Sequence, residues 1–118
     1  MAQDYRDLIV WQKAIDLTMC VYQLTRSFPK DEIYGLVPQM RRAAVSVASN
    51  IAEGRGRLNK AEYRQFLGVA RASNFELQTQ LEIARELEMG DPKLVDHAEG
   101  LSHEVGKMIY AILESTKS

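Results

Sequence analysis

The sequence predicts an all-α fold, an up-down-up-down antiparallel four-helix bundle. Four stretches carry apolar residues at three- and four-residue spacing, the period of an amphipathic helix. Three short connections, marked by Pro, Gly and Asn, separate them, and short connections make sequential helices antiparallel neighbours. The composition agrees, with plentiful aliphatic residues and only 7 Gly and 3 Pro in 118 residues. That length fits one domain, residues 1–118, and can bury a useful core. There is no internal repeat, linker or low-complexity tract.

The first helix is expected over about residues 8–26. Leu8, Trp11, Ile15, Thr18 and Tyr22 form one stripe; Val10, Ala14, Leu17, Val21 and Leu24 form a second. A surface helix of a small monomer needs one stripe, so the extra one points to burial in another subunit. Pro29 ends this helix. The second helix is expected over about residues 36–53, with Leu36, Met40, Ala43 or Ala44, Val47 and Ile51 facing the core. Pro38 fits only in its first turn, where no N–H is needed. Gly54 and Gly56 are expected to stop it and to leave the backbone mobile.

The third helix is capped by Asn59, with Glu62 three residues later in a capping-box pattern. It is expected to run to about Met89, a rod of roughly 45 Å at about 1.5 Å per residue. Tyr63, Leu67, Ala70, Asn74, Leu77, Leu81 and Ala84 are its seam. Gly90 stops it, and Asp91-Pro92 opens the fourth helix as cap and first residue. Leu94, Ala98, Leu101, Val105, Met108 and Ile112 form the last seam, and Lys117 and Ser118 are expected to fray.

No apolar run approaches the roughly 20 residues of a membrane span. Asp4 and Asp7 stand where a signal peptide carries positive charge. A cytoplasmic location is the expectation, and the single cysteine agrees with a reducing compartment. Cys20 sits among Met19, Val21 and Tyr22 and reads as a small buried hydrophobe. The net charge is −1 but unevenly spread. Between positions 39 and 71, Arg41, Arg42, Arg55, Arg57, Lys60, Arg64 and Arg71 face only Glu53 and Glu62; beyond Glu76 acids dominate. Such asymmetry reads as a basic face for a polyanion or as opposite charges on packed helices.

Catalytic constellations are absent from the sequence, so no enzyme activity, catalytic residue, metal or cofactor is expected. There is no P-loop, nucleophile elbow or Cys-x-x-Cys. His97 and His103 are the only histidines. Glu99 and His103 share a helix face, but one such pair is a solvated ion pair more often than a metal site. The basic cluster is the stronger candidate. Arg55, Arg57, Lys60 and Arg64 crowd one helix-to-helix corner, where free N–H groups at the start of the next helix also favour anions. Such a corner contacts phosphate oxygens without reading sequence. The alternative is a solvated loop that keeps the protein soluble. Tyr63 and Phe66 lie near, but on apolar positions, which leaves little for base stacking. Arg41 and Arg42 point about 100° apart. At least one is expected at a helix interface, paired with Glu76 or Glu82; a ligand-facing role is the alternative. Ser46, Ser49, Asn50 and Glu53 make a polar stripe on the second helix. Small polar side chains allow close helix approach and Asn fixes register, so this stripe is the candidate subunit interface, against simple solvent exposure.

These segments resemble a known family, the bacterial four-helix bundle proteins called S23 or 23S rRNA intervening-sequence proteins. The resemblance is carried by DLIVWQKAIDL at 7–17, FPKDEIYGL at 28–36, QMRRAAVSVASNIAEGRGR at 39–57, EYRQFLGVARAS at 62–73 and ELQTQLEIARELEM at 76–89. Arg41, Arg42, Asn50, Glu53, Gly54 and Arg55 match its signature positions. Two departures are visible: Ala48 where the family often has Pro, and Gln78 where it often has Glu. The resemblance implies a ring-like homopentamer. It also implies kinship with the accessory variability determinant proteins of diversity-generating retroelements, which bind nucleic acid together with a reverse transcriptase. The expectation is therefore a non-enzymatic homopentamer that binds RNA or DNA weakly at the basic corner. A scaffold for protein interactions without nucleic-acid binding is the alternative.

Overall fold

The computed structural model describes residues 4–117; Ser118, expected to fray, lies outside them. Four helices follow in order: α1 (Ile9–Thr25), α2 (Leu36–Arg55), α3 (Lys60–Glu86) and α4 (Pro92–Thr116). Short 3-10 turns at Tyr5–Asp7 and Lys30–Glu32 precede α1 and α2. Each helix packs against the next, and α1 closes against α4, so the bundle is a square rod of 46 × 22 × 22 Å.

Local chemistry sets most helix ends as expected. The Asn59 side chain accepts from the Glu62 N–H at 2.9 Å, and Asp91 accepts from the Lys93 N–H at 2.9 Å. Pro38 is the third residue of α2, inside its first turn. The N-terminus of α2 is served by Glu32, whose carboxylate accepts from the Leu36 N–H at 2.9 Å. Lys117 has left the helix with an extended backbone.

Two stops differ from expectation. Helix α2 continues through Gly54 to Arg55. Gly54 is buried, and a Cβ there would fall 2.8 Å from the Phe66 Cβ and 3.1 Å from the Tyr63 ring. It is a close-approach residue between α2 and α3, not a mobile hinge. Helix α3 ends at Glu86, short of Met89, in a Schellman turn: Met89 N–H reaches Ala84 C=O at 2.9 Å and Glu88 N–H reaches Arg85 C=O at 3.1 Å. The left-handed position of that turn, usually glycine, is held by Glu88 with φ 54°. Gly90 does follow with φ 74°, and its missing side chain admits Leu24, whose Cδ1 would lie 2.6 Å from a Cβ.

The core has two apolar clusters. Leu17, Leu24, Met40, Leu77, Leu81 and Leu101 belong to one, and Val47, Ile51, Leu67, Val105 and Ile109 to the other. Between them in the α3 and α4 sequences lie buried Asn74 and Ser102. The Asn74 amide donates to the Ser102 carbonyl at 2.9 Å and accepts from its hydroxyl at 2.8 Å. A satisfied polar pair in an apolar seam fixes which turns of the two helices face each other.

Seams on α1 to α3 follow the sequence periodicity. On α4 the fully buried set is Val95, Ala98, Leu101, Ser102, Val105 and Ile109, with Leu94, Met108 and Ile112 at the rim. The seam is rotated relative to that expectation and takes in Ser102, which is bonded to Asn74. The extra stripe on α1 is half-buried within the chain. Leu8, Trp11 and Ile15 pack against the second cluster, Thr18 donates to the Ala44 carbonyl at 3.3 Å, and Tyr22 lies under Arg41.

Candidate nucleic-acid interface

The α2–α3 corner is built on the Gly54 contact. It brings Tyr63 and Phe66 of α3 against the last turn of α2, and two arginines cover them. The Arg55 guanidinium lies 5.9 Å from the Tyr63 ring centre and that of Arg57 lies 4.5 Å from Phe66. A cation over a ring face keeps its charge and its outward N–H donors. Burial raises the Tyr63 pKa, and Arg55 opposes that rise by charge and hydrogen bonding. Arg57 and Lys60 are exposed, with no carboxylate partner among the described residues. Leu58, between them, is fully exposed.

The corner holds fewer ligand-facing cations than the sequence suggested. Arg64 turns to α4, where it donates to the Leu113 carbonyl and, at 2.8 Å, to the Thr116 hydroxyl. It closes the C-terminus of α4, where a cation opposes the helix dipole. Arg41 lies at a helix interface as expected, but its partners are not Glu76 or Glu82. Its Nε donates to the Thr25 hydroxyl at 2.9 Å and its guanidinium lies 4.4 Å over the Tyr22 ring. Helix α2 turns its residue 41 toward α1, so α3 carboxylates are out of reach. Arg42 is exposed on the outer face, about 20 Å along α2 from Arg55 at about 1.5 Å per residue.

The polar stripe of α2 divides. Ser46 is hydrogen-bonded to the Ser73 hydroxyl of α3 at 2.8 Å, and the Asn50 amide donates back to the Ser46 carbonyl at 2.8 Å. Ser46 serves the α2–α3 contact, and Asn50 bonds back within its own helix. Ser49 and Glu53 are exposed and free to meet another surface.

Packing also assembles a group that no linear motif announces. Arg71, Asn74 and Phe75 of α3 and His103, Lys107 and Tyr110 of α4 line one cleft of about 390 Å³. Their only sequence signal is the seven-residue recurrence of His103 and Tyr110 about Gly106, on a helix whose seam runs elsewhere. The Glu99–His103 pair does not form: Glu99 binds Arg85 at 2.8 Å. That contact, with Arg85–Asp96 at 2.8 Å and Lys13–Glu104 at 3.2 Å, places opposite charges on packed helices. No group of three or more His, Cys, Asp or Glu that could hold a metal occurs among the described residues. Cys20 is buried, its thiol pKa raised by that burial, and it donates to the Leu94 carbonyl at 3.5 Å. None of the described helices is long and apolar enough to cross a membrane.

Comparison with known proteins places this fold. A protein of unknown function from the S23 ribosomal protein family of Bacteroides thetaiotaomicron VPI-5482 superposes with a TM-score of 0.79 at 18% identity. The match covers 89% of this chain and 98% of that one. At that identity the likeness speaks for the fold. No curated protein matches the sequence. A family model described as 23S rRNA-intervening sequence protein matches residues 6–111, spanning all four helices through most of α4. The chain belongs to the 23S rRNA-intervening sequence protein family.

Proposed function

We propose that this protein is a non-catalytic, homo-oligomeric bundle that holds RNA or DNA weakly by its phosphates at the α2–α3 corner. The observation that carries this reading is the pair Arg57 and Lys60, exposed beside Arg55 and without carboxylate partners among the described residues. Arg55 and Arg57 are held by rings, so little side-chain freedom is lost on meeting a phosphate. Arg64 and Arg41 serve the fold instead. The family resemblance suggests a pentamer, in which five copies of a modest patch act together. It also suggests a protein partner such as a reverse transcriptase; the cytoplasmic setting rests on the N-terminal sequence and the single cysteine. Ser49 and Glu53 are the α2 residues available to a subunit contact.

Fluorescence anisotropy of labelled RNA and DNA at low salt tests the corner. Replacing Arg57 and Lys60 by Ala should weaken binding several-fold. The slope of log K against log salt should fall by about 0.7–0.9 for each phosphate no longer neutralised. Arg42→Ala is the control and should leave both unchanged. Binding that ignores the Arg57/Lys60 change would sink the site. The assembly is tested separately by light scattering, where a monomeric mass at micromolar concentration contradicts it.

A scaffold without nucleic acid is the second reading. It is favoured by the net charge of −1 and by exposed apolar side chains such as Ile9, Met19 and Val45. A protein partner retained after nuclease treatment would support it.

A further inference from the structure

We propose that the α3–α4 cleft binds an unstacked segment of single-stranded RNA or DNA, with bases on Tyr110 and Phe75 and phosphates on Arg71 and Lys107. This rests on the reading that the chain binds nucleic acid, but uses different residues. At the corner, Tyr63 and Phe66 turn toward α2. The cleft lies on the opposite flank of α3, about 16 Å along it from Lys60 to Arg71 at about 1.5 Å per residue.

Two features make the cleft a stacking site. Phe75 and Tyr110 are 51% and 55% exposed and line one cleft, so both offer ring surface to it. Arg71 lies 5.1 Å over the Phe75 ring, so a flat cationic surface is ordered beside it. The charge of the cleft is also one-sided. Arg71 and Lys107 line it with no Asp or Glu, in a chain of net charge −1. The imbalance has a local cause. The neighbouring α4 carboxylates are drawn off, Glu99 by Arg85 at 2.8 Å and Glu104 by Lys13 at 3.2 Å. Neither Arg71 nor Lys107 has a carboxylate partner among the described residues.

The occupant follows from this pairing of flat apolar surface and positive charge. A nucleotide supplies a π-face and a phosphate together. An acidic peptide would satisfy the cations and leave both rings bare. A duplex hides its base faces, so only an unstacked strand reaches the rings. The floor of the cleft is Asn74, whose amide is already engaged by Ser102 at both ends. Asn74 is buried and held by Ser102, so it offers little to a base edge, and stacking on the rings is tolerant of sequence.

Anisotropy with the full chain at low salt tests this, using a labelled oligouridine and a labelled RNA duplex of equal length. Wild type should favour the single strand. Phe75→Ala with Tyr110→Ala should lose about tenfold or more for the single strand and keep duplex binding. Equal single-strand binding by that variant overturns the proposal, as does a change confined to its oligomeric mass, which would make the cleft a contact between copies. If Arg57/Lys60→Ala abolishes both modes while the cleft variant binds normally, the corner stands and the cleft fails. If wild type binds neither probe, both fail. Photocrosslinking of 5-iodouridine to the wild-type chain guards against a misfolded variant. Adducts on the peptides of Phe75 or Tyr110 support the cleft, and adducts confined to residues 55–60 overturn it.

Discussion

At the α2–α3 corner, Arg55 and Arg57 lie over Tyr63 and Phe66 at 5.9 and 4.5 Å. In the α3–α4 cleft, Arg71 lies over Phe75 at 5.1 Å, while Phe75 and Tyr110 both remain half exposed. Both regions combine arginine with aromatic rings, yet their rings differ in availability. The corner is a tight packing joint, closed over Gly54, in which rings steady the cations. The cleft is an open trough, floored by a satisfied polar pair, in which rings remain accessible. Basic residues beside aromatics do not specify a binding mode. What decides is whether the neighbouring helix approaches closely enough to cover the ring.

The largest effect that separates the two regions should come from Asn74→Ala. It leaves Ser102 without its partner in the core and opens a cavity, which costs about 2–3 kcal/mol. Chemical denaturation measures the loss. If stability is unchanged, the pair is not what sets α3 against α4, and the cleft loses its fixed floor.

Gly54→Ala acts on the other region and should cost about 1 kcal/mol net. Overpacking against Phe66 costs about 1–3 kcal/mol, offset by about 1 kcal/mol of improved helix propensity. The corner should loosen while the cleft keeps its shape. A stabilised Gly54→Ala protein would show that α2 and α3 are not in tight contact there.

Arg64→Ala should be smallest, about 0.3–1 kcal/mol, from the removal of a charge at the end of α4. Hydrogen exchange should quicken over residues 112–116 and nowhere else. Nucleic-acid affinity should fall less than in Lys60→Ala. If the two fall alike, Arg64 belongs to the binding surface and the corner is larger than its geometry indicates.

Much of the fold is legible in the chain because helix signals are local. Asn59, Asp91 and Pro38 act within a turn of where they stand, and the α3 seam from Leu67 to Ala84 follows directly from 3.6-residue periodicity. Less of the candidate site is legible. Arg64 and Arg57 look alike in sequence, yet one closes α4 and the other meets solvent. Ser46 and Ser49 stand three residues apart in one polar stripe, yet one is bonded to Ser73 and the other is exposed. Glu88 shows a local failure of the same kind: the Schellman turn is set by Met89 and Glu88 reaching back to α3, without the glycine that normally marks it.

By itself the sequence determined the four helices, their antiparallel order, most of their core-facing seams and the family. Those depend on spacing along one chain and on residues that cap their own helices. Tertiary structure alone decided which arginines serve the fold, which glycine is a joint and which is a turn, and that Phe75 and Tyr110 share a cleft with Arg71 and Lys107. The cleft joins residues about 35 positions apart, and a rotation of one helix by a single residue would break it. That rotation is held by Asn74 and Ser102, whose bond exists only once the helices have met.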